Sequence, residues 1–241
     1  MKKNRHIRLI ILLTLCISLN LFAGWNLIEP PDNGLMRSSM INENDEILSM
    51  GLNTATYYCS APFANWVETL TNDDKHVRKV TVDGNKLYGL NHESFSGNGT
   101  FYVSDDWGQN WTDLGTVQIT PPYNDVPLFK AFSDTLVIAS KDSLYYSVDS
   151  GSTWTNWMDG IDTYFKAKDM VRTSNAIYFM SGTIHRASGF GMPFREMKTG
   201  LERQSLYRLQ TDGDRIYALS YNSVFYLTDS DTSWTKVTMG D

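Results

Sequence analysis

Ser147-Val148-Asp149-Ser150-Gly151-Ser152-Thr153-Trp154 is the stretch whose reading decides the fold of this chain. A second copy, Ser104-Asp105-Asp106-Trp107-Gly108-Gln109-Asn110-Trp111, stands 43 residues earlier. The two share the frame Ser-x-Asp-x-Gly-x-Thr/Asn-Trp. Gly108 and Gly151 supply the positive φ that a tight bend between strands requires. Asp106 and Asp149 lie two places before the glycine, where a carboxylate can fold back onto N–H groups of the bend. The frame opens on Ser104 and Ser147 and closes on Trp111 and Trp154. A closing indole takes about 150–250 Å² out of water and usually finds a partner for its N–H. The stretch therefore predicts a hairpin pinned by a carboxylate at one end and by an indole at the other.

Sliding the frame along the chain finds weaker copies. Residues 227–234 keep Asp229 and Trp234 but carry Asp231 at the glycine place. Residues 187–194 keep the glycine and put Phe194 where tryptophan stood, and residues 59–66 keep only Asn65-Trp66. The aromatic anchors fall at 66, 111, 154, 194 and 234, in steps of 45, 43, 40 and 40 residues. A period of about 40–50 residues marks a propeller or an array.

The frame resembles the Asp box, or BNR repeat, of sialidases, sortilin-type receptors and photosystem-assembly-type propellers. With the units around it, the resemblance covers nearly all of the chain beyond its first segment. It implies a box between the third and fourth strands of each blade, at the outer rim, where it serves folding and not catalysis. The resemblance thus gives structural roles to Ser104, Asp106, Gly108, Trp111, Ser147, Asp149, Gly151, Trp154, Asp229 and Trp234.

Each unit repeats two further features. A tight turn precedes an apolar run, as in Asp83-Gly84-Asn85-Lys86-Leu87-Tyr88 and Asp212-Gly213-Asp214-Arg215-Ile216-Tyr217; Asp-Gly between β-favouring runs is a strong hairpin signal. A third strand then leads into the box, as at Leu144-Tyr145-Tyr146 and Val224-Phe225-Tyr226. No stretch has a helical apolar period. The expectation is an all-β chain, a β-propeller of about five four-stranded blades. Its repeats run over about 26–66, 67–111, 112–154, 155–194 and 195–234 within a single domain, 25–241. Trp25 is in phase as an additional outer strand. An unclosed ring would leave sheet edges open to self-association.

The first 24 residues have the three-part layout of a secretory signal peptide: a basic flank through Arg8, an apolar run from Leu9 to Phe22, then Ala23-Gly24. The run is short for a membrane span, and no span is expected once it is cleaved. Export to the periplasm, cell envelope or medium of a bacterium follows. Removing this segment takes the net charge from −6 to −10. So acidic a chain is a poor partner for nucleic acid or anionic lipid. Cys59 is then the one cysteine left, which allows no internal disulfide and suits a buried strand position.

Strand order sorts the loops. The boxes and first-to-second turns share one face; second-to-third loops and unit-to-unit connections share the other, where length varies. Three long segments fall there: 29–34, 91–99 and 115–127. They offer His92, Glu93, Phe95, Tyr123 and Asp125 as candidate binding residues. The favoured function is an exported, non-catalytic propeller that binds a protein or carbohydrate partner or serves envelope assembly, with no cofactor and no metal. Asp105, Asp106, Asp229 and Asp231 lack the spacing of a calcium loop. The alternative is a glycoside hydrolase of sialidase-like architecture, in which Glu93, Asp125, Asp159 and Asp162 would supply the carboxylate pair. The sialidase resemblance also implies an Arg-Ile-Pro tripeptide and three substrate-gripping arginines. The tripeptide is missing here, and the arginines to set against that role are Arg37, Arg78 and Arg203.

Overall fold

The computed structural model describes residues 36–51, 56–60, 66–69, 77–93, 96–119, 128–133, 135–140, 143–161, 167–202 and 204–237. Residues 1–24, expected to be a leader, together with Trp25, the connection 29–34, Phe95, Tyr123, Asp125, Asp162 and Arg203, lie outside them.

The described chain is all β, in five four-stranded antiparallel sheets, each a simple meander. Blade 1 holds β1 (Met36–Ile41), β2 (Ile47–Gly51), β3 (Thr56–Cys59) and β4 (Val67–Glu68). Blade 2 holds β5 (Lys79–Asp83), β6 (Lys86–Glu93), β7 (Asn98–Ser104) and β8 (Thr112–Gln118). Blade 3 is built of β9 (Leu128–Phe132), β10 (Thr135–Ser140), β11 (Ser143–Ser147) and β12 (Thr155–Asn156). Blade 4 follows with β13 (Asp169–Arg172), β14 (Ile177–Met180), β15 (Ile184–Ala187) and β16 (Arg195–Glu196). Blade 5 ends the order with β17 (Leu206–Thr211), β18 (Arg215–Ser220), β19 (Val224–Thr228) and β20 (Thr235–Lys236).

Sequence pattern says which sheets are covered on both faces. Leu136-Val137-Ile138-Ala139 in β10 and Ile177-Tyr178-Phe179-Met180 in β14 are unbroken apolar runs, and every residue is buried. A strand sandwiched between neighbours reads this way, because neither face meets water. Strand β18 instead alternates: Ile216, Ala218 and Ser220 are buried, and Arg215, Tyr217 and Leu219 are not. Blade 5 therefore has one face packed on blade 4, while its other face is only partly buried among the described residues.

The core lies between blades. Trp157, fully buried, packs its ring 4.5 Å from Phe194 and 5.6 Å from Tyr146, joining blades 3 and 4. Its Nε1–H donates to the carbonyl of Met192 at 2.7 Å. Trp234 of blade 5 likewise donates to the Met197 carbonyl of blade 4 at 3.0 Å. Each indole thus buries its ring and satisfies its single donor on the adjacent blade.

The two quoted hairpins fold alike. Ser147 Oγ donates to Asp149 Oδ1 at 2.7 Å and accepts Gly151 N–H at 2.8 Å. Asp149 also accepts the Thr153 backbone N–H at 2.8 Å and the Thr153 hydroxyl at 2.6 Å. Trp154 Nε1–H closes onto the Gly151 carbonyl at 3.0 Å. In the earlier copy Ser104, Asp106, Gly108, Asn110 and Trp111 repeat every one of these roles, with Asn110 Nδ2 in place of the Thr153 hydroxyl. The Thr153 and Ser147 donors hold the Asp149 carboxyl down at about 2. Burial works against ionisation of Asp106, but the Asn110 and Ser104 donors outweigh it and its carboxyl also lies low. Gly151 has φ +93, and a Cβ there would stand 3.2 Å from the Phe101 ring of blade 2. The hairpin is therefore also a wedge against the preceding blade. Trp154 is half-buried, its ring 5.1 Å from Phe101.

Blade 5 departs from this scheme. Asp231, at the glycine place, accepts the Thr228 N–H at 2.8 Å and the Thr228 hydroxyl at 2.7 Å, and so pins the turn from the other side. Asp229, expected to pin its own turn, instead accepts Tyr178 OH at 2.8 Å and Thr173 Oγ1 at 2.7 Å across the blade 4 boundary. Leu227 replaces the opening serine, so no hydroxyl is there to hold the carboxylate in place. Burial and the Asp229 carboxylate push the Tyr178 hydroxyl up to about 12.

Candidate functional site

The inner strands converge on one cavity of about 410 Å³, and all five blades contribute to it. Its charged rim is Arg78, Lys79, Lys130, Lys168, Asp169 and Arg208. Its walls are Met50, Val80, Leu128 and Phe129. Most of these residues sit at or just before the start of an inner strand. The start of a first strand lies on the face of the second-to-third loops, so the basin opens on the face that strand order marked for ligands.

The rim carries five cations and one carboxylate in a chain of net charge −6. Asp169 is buried and fully engaged. Lys130 Nζ lies 3.1 Å from Oδ1 and Arg208 Nε 3.5 Å from Oδ2. The backbone N–H of Met170 donates to Oδ1 at 2.9 Å, and that of Leu209 to Oδ2 at 3.0 Å. Four donors offset the desolvation of one carboxylate, and stripping partners from such a group typically costs about 3–5 kcal/mol. The Leu209 bond also joins the inner strands of blades 4 and 5, as Thr81 Oγ1 joins blades 2 and 3 by accepting Ala131 N–H at 3.1 Å. Lys168 Nζ donates to the Leu206 carbonyl at 2.8 Å.

Arg78 and Lys79 differ from these. The Arg78 backbone N–H donates to the Leu90 carbonyl at 2.9 Å, which fixes its place ahead of β5. Arg78 is exposed and Lys79 half-buried. Among the described residues no carboxylate pairs with either side chain. A cleft lined by one sign of charge concentrates the field of unpaired charge. The arrangement can hold an anion, with charge-assisted hydrogen bonds worth about 1.5–3 kcal/mol each.

Of the residues expected to bind, His92 is buried on β6 and Glu93 ends that strand. They pair with Gly99 and Asn98 of β7, so most of 91–99 is an extended hairpin and not a loop. Glu93 accepts Ser96 Oγ at 3.1 Å, and neither His92 nor Glu93 lines the basin. Asp159 stands beyond β12, its carbonyl accepting Phe194 N–H at 2.8 Å. Cys59 is buried, and its Sγ–H donates to the Ser60 carbonyl at 3.7 Å. Of the three arginines weighed for anion grip, Arg78 is in the basin. Lys79, Lys130, Lys168 and Arg208 were missed; each belongs to a different blade, on or just before its first strand, and only the convergence of the blades groups them. Trp107 was also missed as a brace. It is buried with φ +56, and its Nε1–H donates to the Glu46 carbonyl of blade 1 at 3.0 Å.

No curated protein matches this chain. Among solved structures it is similar to YCF48 bound to D1 peptide, at 14% identity and a TM-score of 0.61, covering 90% of this chain and 71% of that one. It is similar to the GH74 enzyme of Niastella koreensis at 17% identity and a TM-score of 0.63, covering 84% of this chain and 37% of that one. YCF48 from Cyanidioschyzon merolae matches at 11% identity and a TM-score of 0.57, covering 89% of this chain and 74% of that one. At these identities the likeness is one of fold. The family model of the DUF6242 beta propeller domain matches residues 25–170, more than half of the sequence, and the chain belongs to that family.

Proposed function

We infer that this propeller is a non-catalytic recognition module, that its quoted hairpins are Asp boxes, and that it takes an anionic segment of a protein partner in the axial basin. The observation that carries the reading is the pair of unpaired cations, Arg78 and Lys79, at the mouth of a concave basin lined mostly by polar and charged groups. The donor and acceptor inventory favours a peptide over a sugar. A carbohydrate presents hydroxyl donors that need acceptors. The one carboxylate among the lining side chains, Asp169, already takes four donors. A carboxylate-bearing segment matches what remains, the cations at the rim; Met50, Leu128 and Phe129 line the basin but are themselves buried. The YCF48 neighbour, solved with a peptide, lends the reading support from a related fold. The signal-peptide-like layout of residues 1–24 supports a location outside the cytoplasm, in the cell envelope or the medium.

The test is fluorescence anisotropy with a labelled library of short peptides that pair carboxylates with apolar residues. The expected result is saturable binding that weakens with added salt and falls about tenfold or more, the equivalent of one lost charge-assisted contact, in the variant with Arg78→Ala and Lys79→Ala. Binding by a basic control library of equal hydrophobicity, or acidic binding indifferent to both substitutions, would defeat the assignment.

A further inference from the structure

Eight large apolar or aromatic residues are exposed among the described residues, and four of them belong to one end of blade 5: Tyr207, Tyr221, Val224 and Val237. The other four, Val67, Val82, Val148 and Met192, fall one to a blade. Scattered single residues of this kind are ordinary, whereas a cluster marks a contact surface. Tyr221 is 89% exposed and Tyr207 48%, and their rings lie 5.5 Å apart at 41°. Val237 N–H donates to the Val224 carbonyl at 2.8 Å, which draws those two into the same patch.

The patch adjoins the basin for a reason of backbone geometry. The register of β17 against β18 shifts between Leu206 and Arg208. A bulge places two successive side chains on the same side of a strand and re-aims them. Tyr207 and Arg208 are accordingly both exposed, and Arg208 is part of the basin rim. Tyr221 stands in the turn between β18 and β19, on the same end of the blade. The aromatic pair thus adjoins the cationic site through Tyr207, the neighbour of the rim residue Arg208.

We propose that Tyr207 and Tyr221 form a second subsite of the basin, which takes a proline ring of the same acidic peptide. The proposal rests on the basin reading above. Exposed tyrosine faces are the surface on which extended proline-rich segments dock, since the polyproline conformation is already formed in the free chain and little ordering entropy is lost. The tilted pair gives such a ring two faces to contact. Arg208 beside it and the cations beyond it fix which side of the proline carries the carboxylates. The peptide that fits is extended, with proline next to an acidic cluster.

The test compares two labelled peptides of equal charge and length, one with proline beside the acidic cluster and one with alanine there. Binding is measured to the full chain and to its Tyr221→Ala and Arg78→Ala variants. The proline peptide should bind the full chain several-fold more tightly, and Tyr221→Ala should erase that advantage while leaving the alanine peptide unchanged. Arg78→Ala should weaken both peptides alike. Equal binding of the two peptides, with Arg78 still required, would overturn the aromatic subsite and leave the basin. Failure of both to bind would overturn the two together. A sulfated or uronic oligosaccharide that binds in a Tyr221-dependent manner would overturn the peptide assignment, as would a Tyr221-dependent dimer seen by light scattering without peptide. Circular dichroism of Tyr221→Ala, an exposed position, confirms that the fold is retained.

Discussion

Replacing Gly160 with alanine isolates the seam between blades 3 and 4. Gly160 has φ +80, a region that costs an L-residue about 1–2 kcal/mol. A Cβ built there would lie 1.9 Å from the carbonyl oxygen of Phe194, a backbone atom that cannot rotate away. Relief requires the two segments to part, at an overpacking cost of about 1–3 kcal/mol. Parting them also strains the bond from Phe194 N–H to the Asp159 carbonyl, 2.8 Å long, worth about 0.5–1.5 kcal/mol. The total is about 3–6 kcal/mol, and each kcal/mol lowers Tm by about 2–4 °C in a chain of this size. Gly213 is the control: φ +107, but nothing within 4 Å of the added carbon. Gly213→Ala should cost only the backbone component, about 1–2 kcal/mol. Thermal and urea unfolding followed by tryptophan fluorescence read both. If Gly160→Ala is no worse than Gly213→Ala, the seam is not packed as described and the inter-blade account fails.

Two further outcomes concern the anchors and acid stability. Trp157→Ala should cost about 3–5 kcal/mol, as expected of a fully buried aromatic, and Trp154→Ala measurably less because its ring is half-buried; urea midpoints give the order, and a reversal would contradict the burial assigned to each. The Asp149 carboxyl is held at about 2, below its unfolded value of about 3.9. Its contribution is therefore complete above about pH 4 and is lost as pH falls through about 2. Asp149→Asn should be less stable at neutral pH and should lose less on acidification; an acid limb parallel to that of the unsubstituted chain would show that the carboxylate is not held by these donors.

Much of the fold was legible because the signals are local. Ser147 through Trp154 carries its own donors, acceptors and positive-φ residue, so a hairpin could be read without knowing its neighbours. Repetition at a near-constant step then implied sheets of one kind. Other contacts had weaker signals that could still have been used. Trp157-Met158-Asp159-Gly160-Ile161 and Met197-Lys198-Thr199-Gly200-Leu201 share a large apolar residue, a glycine and an aliphatic residue in register, and both form seams to the next blade. Asp229 was misplaced because its partners, Thr173 and Tyr178, lie more than fifty residues away.

The sequence by itself determined the strand content, the turn chemistry, the repeat and the face on which loops vary, since each depends on residues within a few positions of one another. Only the tertiary structure decided the candidate site. Arg78, Lys79, Lys130, Lys168 and Arg208 come from four blades, spread over 131 positions of the chain. No local pattern marks them, because they meet through the radial packing of sheets. The same packing leaves Tyr207 and Tyr221 exposed at one end of blade 5 among the described residues.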